Sequence, residues 1–114
     1  MLRKWSLQNE DTEKSWATIT YDYETDQWET QIPDGITADM LPPILRICYF
    51  QKGENPIGNE HTHWFIEERI PPRDRQNIVD IMKEAGMFCY DEAKLIDAYG
   101  GKAAQDRFWM KILQ

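Results

Sequence analysis

Residues 15–32 decide the fold, and they read SWATITYDYETDQWETQI. Threonine, isoleucine, tyrosine and tryptophan are frequent here, and these side chains suit the pleated, half-buried surface of a β-sheet. Thr25 and Asp26 interrupt the run, and the chain is expected to reverse at this point. The stretch therefore predicts a β-hairpin over residues 15–33.

The position of the turn sets which residues face each other across the hairpin. In this register Tyr23 lies opposite Trp28 on one face, and Asp22 lies opposite Glu29 on the other. Like charges in directly opposed positions destabilise a strand pair. Either the register differs, or an acidic face is kept at the expense of local stability. A kept acidic face would serve solubility or would dock on a basic partner.

The acidic residues are concentrated near the start of the chain. The 114 residues include 13 basic and 20 acidic ones, for a formal net charge of −7. Residues 1–35 contain three of the basic and eight of the acidic residues. This asymmetry favours an acidic surface that docks on a basic protein, and direct binding of nucleic acid is not expected. The hairpin residues expected to contact the partner are Asp22, Glu24, Asp26, Trp28 and Glu29.

A second hairpin is predicted over residues 44–70. Residues 44–50 form an apolar run that fits a strand or a helix by periodicity alone, and its β-branched and aromatic residues favour a strand. Residues 52–59 are dense in glycine, proline and asparagine, which is typical of a turn. Residues 61–70 would then return as the paired strand.

The C-terminal part predicts two helices and a closing strand. Within the helical part, residues 73–100, one helix would start at an Asp74 cap and the second at an Asp91 cap. A glycine follows each of them in a position suited to ending a helix. Residues 104–113 alternate in a way that favours a strand over a helix.

Together these elements predict a single α+β domain over residues 1–114. Its antiparallel sheet, of about four to five strands, would pack against two C-terminal helices. No apolar run approaches the roughly 20 residues that span a bilayer. The start of the chain lacks the pattern of a secretory signal. We therefore expect a cytoplasmic protein without membrane association.

The histidines and cysteines are candidates for chemistry. On a strand, His61 and His63 would point to the same face and could offer two imidazoles to one metal. Glu67, the next carboxylate on that face, would lie about 13 Å from His63 along a strand, so we assign no metal site. Cys48 and Cys89 both lie among apolar residues, which predicts buried free thiols.

Three arginines lie where the predicted strand meets the predicted helix: Arg69, Arg73 and Arg75. The planar guanidinium group suits recognition of carboxylates or phosphates. One interpretation pairs these arginines with neighbouring carboxylates of the chain itself. The other assigns all three to partner binding. One version of the second interpretation is a nucleic-acid-binding accessory protein. It would bind the nucleic acid with these three arginines and with exposed aromatic side chains.

A sequence pattern extends over residues 64–109. It reads Trp64-x4-Arg69-x2-Pro72-x2-Arg75-x2-Ile78, then Gly86, Tyr90-Asp91, Gly100 and Asp106-x-Phe108-Trp109. The pattern resembles small uncharacterised bacterial proteins that are carried by phages and other mobile genetic elements. The resemblance implies no catalytic residue. It implies a small protein that binds a host protein, including a defence enzyme, and blocks or redirects it.

No catalytic motif accompanies the acidic residues, since the chain has neither a glycine-rich phosphate loop nor a recognisable acid–base pair. We therefore predict a non-catalytic protein-binding module without a cofactor. It would act as an inhibitor or adaptor that occludes a basic surface of a host nucleic-acid-handling or defence enzyme, with carboxylates in place of phosphates. Two alternatives are the nucleic-acid-binding accessory protein and a small metal-dependent enzyme that uses His61 and His63.

Overall fold

An antiparallel sheet of four strands forms one layer of the protein. The computed structural model describes residues 1–104 and 106–113, and within them the side chains of all residues except 12–14. The strands are β1 (Leu2–Asn9), β2 (Thr12–Asp22), β3 (Gln27–Gln31) and β4 (Phe108–Ile112). Their order is β3-β2-β1-β4, so the first and last strands of the chain are neighbours.

Helices form the second layer: α1 (Pro43–Arg46), α2 (Asn59–Glu67), α3 (Ile78–Glu84) and α4 (Glu92–Tyr99). α2 packs against β3 and α1, while α4 packs against β4. The predicted α+β class with an antiparallel sheet is confirmed. The helices are not all C-terminal, however, because α1 and α2 precede the predicted helical part. Among the described residues, no helix is both long and apolar enough to cross a bilayer.

One face of the sheet forms the core. Side chains alternate between the two faces of a strand, and Trp5, Leu7 and Ile19 are fully buried on the same face. Phe65 of α2 and Leu95 of α4 are fully buried in the same apolar cluster. The opposite face carries polar and charged side chains: Lys4, Thr18, Thr20, Glu29 and Gln31.

The first predicted hairpin is present, but its register differs from the prediction. Tyr21, not Tyr23, lies opposite Trp28. The turn covers residues 23–26, and its last residue, Asp26, adopts a left-handed conformation with φ of 54°. Aspartate tolerates this conformation better than most residues do. The longer turn shifts the pairing by two residues, so each side chain keeps its predicted face.

The new register removes the predicted clash of like charges. Asp22 pairs with Gln27, and Glu29 pairs with Thr20. No opposed carboxylates therefore destabilise this hairpin, and the choice between a shifted register and a strained acidic face is resolved in favour of the shifted register.

The predicted second hairpin over residues 44–70 is wrong, because helices take the place of both of its strands. Pro43 is in the first turn of α1, where proline fits because its missing N–H has no helical partner to lose. The π-helical turn Ile47–Gln51 continues α1. The apolar run is too short for its periodicity to distinguish a strand from a helix. The preference of its β-branched and aromatic residues for strands is outweighed by the burial of Leu45 and Cys48 in the helical arrangement.

The second half of that segment has the burial pattern of a helix. The buried side chains around α2 are Thr62, Phe65, Ile66 and Arg69, which are three, four and seven residues apart. This spacing places one stripe of the helix against the core. The alternation that suggested a strand therefore gives way to a period of 3.6 residues.

The last elements agree with the prediction more closely. The Asp91 carboxylate caps α4 by accepting a 3.2 Å hydrogen bond from the Lys94 backbone N–H. The helix ends at Gly100 with φ of 75°. α3 starts later than expected, at an Asn77 cap rather than at Asp74. The reason is that the backbone of residues 72–78 forms hydrogen-bonded turns, so the helix begins only after them.

The closing strand is confirmed as β4, which pairs with β1. Residue 105 of the predicted segment 104–113 lies outside the described residues. β1 has no counterpart among the predicted elements. Its period-two signal is weak, because only Trp5 and Leu7 alternate as large buried apolar side chains, and Ser6 between them is buried as well.

Candidate functional site

Two of the predicted partner-binding residues are buried in the core. Trp28 is 3% exposed and stacks on Trp5, with ring centroids 5.6 Å apart. Arg69 is 5% exposed. Neither side chain can contact a partner, so their assignment to the binding surface is wrong. Trp28 lies on the face of the sheet that packs against the helices, and Arg69 lies on the side of the chain after α2 that packs against the core.

Arg69 binds groups of its own chain. It forms an ion pair with Asp106 and donates to the carbonyl oxygens of Gly101 at 3.1 Å and Phe108 at 3.2 Å. Its guanidinium lies 4.5 Å from the centre of the Phe65 ring. The internal pairing is therefore with a carboxylate far along the chain, not with a neighbouring one.

The predicted acidic residues do not form one face. Asp22 and Glu29 project from the outer face of the sheet, away from the core. Asp26 accepts a 2.6 Å hydrogen bond from the Tyr21 hydroxyl. This bond holds the Asp26 carboxylate at the end of the sheet, on the side of the core-facing Tyr21. Glu24 lies 3.6 Å from the N-terminal amino group. The acidic hairpin is thus divided between two surfaces.

A cleft lies where the β2–β3 turn meets α2, the start of α4 and the segment that follows Pro71. Its two adjoining parts have volumes of about 460 Å³ and 250 Å³. Both parts include Arg73, Tyr90 and Glu92. The larger part is also lined by His63, Glu67, Ile70, Pro72 and Asp74. The smaller part is also lined by Tyr21, Tyr23, Asp26, Asp91 and Ala93.

Carboxylates dominate this cleft. The acidic residues in its walls are Asp26, Glu67, Asp74, Asp91 and Glu92. Against them stand one arginine, Arg73, and one histidine. Of the residues predicted to bind a partner, the structure brings only Asp26 and Arg73 together here. Arg75 is exposed on the turn before α3.

His63 links two carboxylates in the wall of the larger part. Its Nε2 lies 2.7 Å from Oε2 of Glu92. Its Nδ1 lies 3.0 Å from Oε1 of Glu67, one helical turn further along α2. The imidazole also stacks on Trp28, with ring centroids 6.4 Å apart. These contacts fix the imidazole between the core and the cleft.

Tyrosine hydroxyls contact carboxylates in the smaller part. Tyr21 donates to Asp26, and Tyr23 donates to both oxygens of Asp91 at 3.3 Å. Burial, followed by the hydrogen bond to Asp26, raises the pKa of Tyr21. Burial, followed by the charge of Asp91, raises the pKa of Tyr23 to about 12. Both phenols therefore stay protonated at neutral pH and act as hydrogen-bond donors.

Arg73 lies at the junction of the two parts. Its guanidinium is 4.9 Å from the centre of the Tyr90 ring, in a cation–π arrangement. The Tyr90 hydroxyl donates a 2.7 Å hydrogen bond to the Pro71 carbonyl, which fixes the ring. Burial, followed by the charge of Glu92, raises the pKa of Tyr90. The cleft thus already contains one guanidinium of its own chain, that of Arg73, and this side chain is exposed to solvent.

The two histidines do not share a site. Positions two apart on a helix project in different directions, and His61 contacts Glu54 while His63 contacts Glu92. The metal site that would use both imidazoles is therefore wrong. The predicted distance to Glu67 is also wrong, because the helix brings it to His63.

Most of the cleft was not predicted from the sequence. Glu67 ends α2, Glu92 begins α4, and Tyr90 and Asp91 directly precede α4. The pattern over residues 64–109 includes Tyr90 and Asp91, but it assigned no binding role to either residue. A local signal did exist for the pair on α2: His63 and Glu67 are four residues apart, a spacing that brings side chains together on a helix. That signal depends on recognising α2 as a helix.

Comparison of the chain with protein-family models, with curated proteins and with solved structures gave no match. The likeness of residues 64–109 to proteins of mobile elements therefore stays a prediction from the sequence.

Proposed function

We propose that this protein is a non-catalytic binding module and that its cleft takes up arginine or lysine side chains from the basic surface of a partner protein. The observation that carries the proposal is the position of Arg73, whose guanidinium lies over Tyr90 in a cleft that carboxylates line. An aromatic face combined with carboxylates is a favourable environment for a guanidinium. A partner's arginine would find the same combination of groups in the rest of the cleft.

The charge of the chain supports the same kind of partner. The net charge is −7, and the carboxylates of the cleft outnumber its cationic side chains. A cleft lined by one sign of charge attracts the opposite charge and speeds association. Because the cleft opens to solvent, added salt should weaken this attraction.

The partner class follows from the same chemistry. Proteins that handle nucleic acids expose arginine and lysine for phosphate contacts. Carboxylates can take the place of those phosphates, so the protein would occlude such a surface. We propose an inhibitor or adaptor of this type in the cytoplasm, acting on a host nucleic-acid-handling or defence enzyme. The mobile-element context rests on the sequence resemblance alone.

Two matched variants test whether the cleft is the binding surface. The cleft variant combines Asp26→Asn, Asp91→Asn and Glu92→Gln. Asparagine tolerates the left-handed backbone of residue 26 and still caps the helix at residue 91. The control combines Asp22→Asn, Glu24→Gln and Glu29→Gln, so it removes the same number of charges from the predicted acidic hairpin.

The probe is a fluorescently labelled peptide of alternating arginine and glycine, and the readout is its anisotropy at low and at physiological salt. We expect the cleft variant to bind at least about 10-fold more weakly, a loss of about 1.4 kcal/mol. The control should stay within about 3-fold of the wild type, because its carboxylates contribute only at long range. Loss of binding in the control alone would place the docking surface on the outer face, and absence of binding to the wild type would exclude a basic partner. Circular dichroism of each variant verifies folding.

The nucleic-acid alternative has less support. It relies on Arg69, Arg73 and Arg75, but Arg69 is buried in an ion pair with Asp106. Arg73 lies over Tyr90 in a cleft whose carboxylates repel phosphate. The same titration with labelled single-stranded DNA should therefore show no saturable binding.

A further inference from the structure

We propose that Cys48, Glu54 and His61 form a binding site for one divalent metal ion of the zinc class. Cys48 lies on the π-helical turn after α1, and His61 lies in the first turns of α2. Glu54 lies in the loop between these two helices. The site is independent of the cleft, because His61 and His63 project from different faces of α2.

The three donor atoms are already close together. The Cys48 sulfur, a Glu54 carboxylate oxygen and a His61 ring nitrogen all lie within 4.8 Å of one another. Zinc binds such donors at about 2.0–2.3 Å, which places tetrahedral ligands roughly 3.5 Å apart. Small side-chain movements are therefore enough to close the coordination sphere.

The hydrogen bonds around Glu54 orient it for this purpose. The Gly58 backbone N–H donates to Oε2 of Glu54 at 2.7 Å. The other oxygen, Oε1, lies 2.7 Å from Nδ1 of His61. The Glu54 backbone N–H donates to the Cys48 carbonyl at 2.9 Å, which holds the loop against the π-helical turn. Partners that fix a ligand in this way are typical of metal sites.

The donor types select the metal. A thiolate, an imidazole and a carboxylate together suit Zn²⁺ and exclude the hard cations Mg²⁺ and Ca²⁺, which take oxygen ligands. Three protein ligands leave a fourth position for water. Binding transfers the Cys48 thiol proton to solvent. The proton that His61 Nδ1 donates to Glu54 moves through solvent to Nε2, so the imidazole binds in its neutral form and the metal lies between Nδ1 and the Glu54 carboxylate.

Two other roles for these groups fit less well. As a nucleophile, Cys48 would need access for a substrate, but it is only 3% exposed. The other histidine cluster cannot hold a single ion in the same way. Glu67 and Glu92 contact opposite ring nitrogens of His63, and these nitrogens point in different directions.

The test uses the full chain after treatment with a chelator. Titration with Zn²⁺ followed by calorimetry should show one ion per chain. Titration with Co²⁺ should produce the near-ultraviolet absorption of a sulfur-to-cobalt charge transfer. Both measurements on the wild type need no variant, so they test the proposal even where a substitution impairs folding. No saturable Zn²⁺ binding, or Co²⁺ binding without the sulfur band, would overturn it.

Matched variants identify the ligands. Cys48→Ser and His61→Gln should each weaken Zn²⁺ binding at least about 10-fold, since even outer-sphere partners have effects of this size. The first control is Cys89→Ser, which removes a free thiol that is exposed, so the prediction that it is buried is wrong. The second control is His63→Gln, two residues away from His61 on the same helix. Both controls should bind Zn²⁺ like the wild type. Equal losses in the controls and in the ligand variants would contradict this ligand set.

Discussion

His63 and Glu92 join α2 to α4 through a contact of 2.7 Å between Nε2 and Oε2. The contact spans 29 positions of the chain and forms the wall between the core and the cleft. The pair is partly exposed, so its stabilisation is limited by solvent. It nevertheless connects α2, which packs against β3, to the start of α4.

The first prediction concerns this pair. A double-mutant cycle with His63→Gln and Glu92→Gln should give a coupling free energy of about 0.5–1 kcal/mol. Urea unfolding of the four proteins measures it. A parallel cycle with Glu67→Gln should give a smaller value, because that carboxylate is 55% exposed. Coupling that is stronger for Glu67 would contradict this assignment.

The second prediction concerns the buried ion pair of Arg69 and Asp106. Asp106→Asn should lower the free energy of unfolding by about 3–5 kcal/mol, because it leaves an uncompensated guanidinium in the core. Asparagine can still accept the hydrogen bond that the carboxylate receives from the Phe108 backbone N–H. The loss is therefore attributable to the charge.

An exposed ion pair in the same region provides the control for this experiment. Arg107 lies 3.1 Å from Asp11, and both side chains are more than 60% exposed. Asp11→Asn should change the stability by less than about 1 kcal/mol. If Asp106→Asn were as mild as the control, Arg69 would not be held in the core by its carboxylate.

The third prediction concerns Tyr23 at high pH. Burial, followed by the charge of Asp91, raises its pKa to about 12 in the folded protein, while an unfolded tyrosine titrates near 10. The folded state thus retains a proton that the unfolded state loses. Stability that is fully present below about pH 10 should therefore be lost as the pH rises towards 12.

Tyr23→Phe should make the fall in unfolding free energy over this alkaline range less steep. Ultraviolet titration of the phenols should lose the component near pH 12 that belongs to Tyr23. Asp91→Asn keeps the tyrosine and removes the charge beside it, so it should move that component to lower pH. An unchanged alkaline slope in Tyr23→Phe would show that this tyrosine does not make the stability depend on pH.

The fourth prediction concerns Gly101, whose carbonyl accepts a hydrogen bond from Arg69. A Cβ atom at this position would lie 2.9 Å from the sulfur of Met110, which is buried beneath it. Gly101→Ala should therefore destabilise the fold by about 1–3 kcal/mol more than Gly86→Ala does. Both glycines have positive φ, but nothing lies within 4 Å of a Cβ at Gly86. Equal losses in thermal unfolding would show that Met110 moves aside freely.

Elements with local signals could be predicted from the sequence. α4 is the clearest case, because an aspartate cap at residue 91 and a left-handed glycine at residue 100 act within one helical turn of its ends. The hairpin of β2 and β3 was also recognisable, because its aromatic and β-branched residues suit a sheet. Its register was not, because the residues around the turn do not show whether two or four of them leave the strand pairing.

The site was predictable only in part. Asp26 and Arg73 were identified as binding residues and lie in the cleft. Trp28 and Arg69 were assigned to the surface as well, but composition and charge carry no information on which side of an element faces the core. α2 was mistaken for a strand, and this error hid the neighbours of His63.

The sequence by itself determined the α+β class, the excess of acidic charge, the hairpin of β2 and β3, and the limits of α4. Each of these depends on composition or on contacts between residues close along the chain. Only the tertiary structure decided the helical state of residues 44–51 and 59–67, the burial of Arg69, and the meeting of Asp26 with Glu92 in one cleft. These features depend on contacts between distant residues, whose free energy exceeds the small local preferences that a sequence pattern can show.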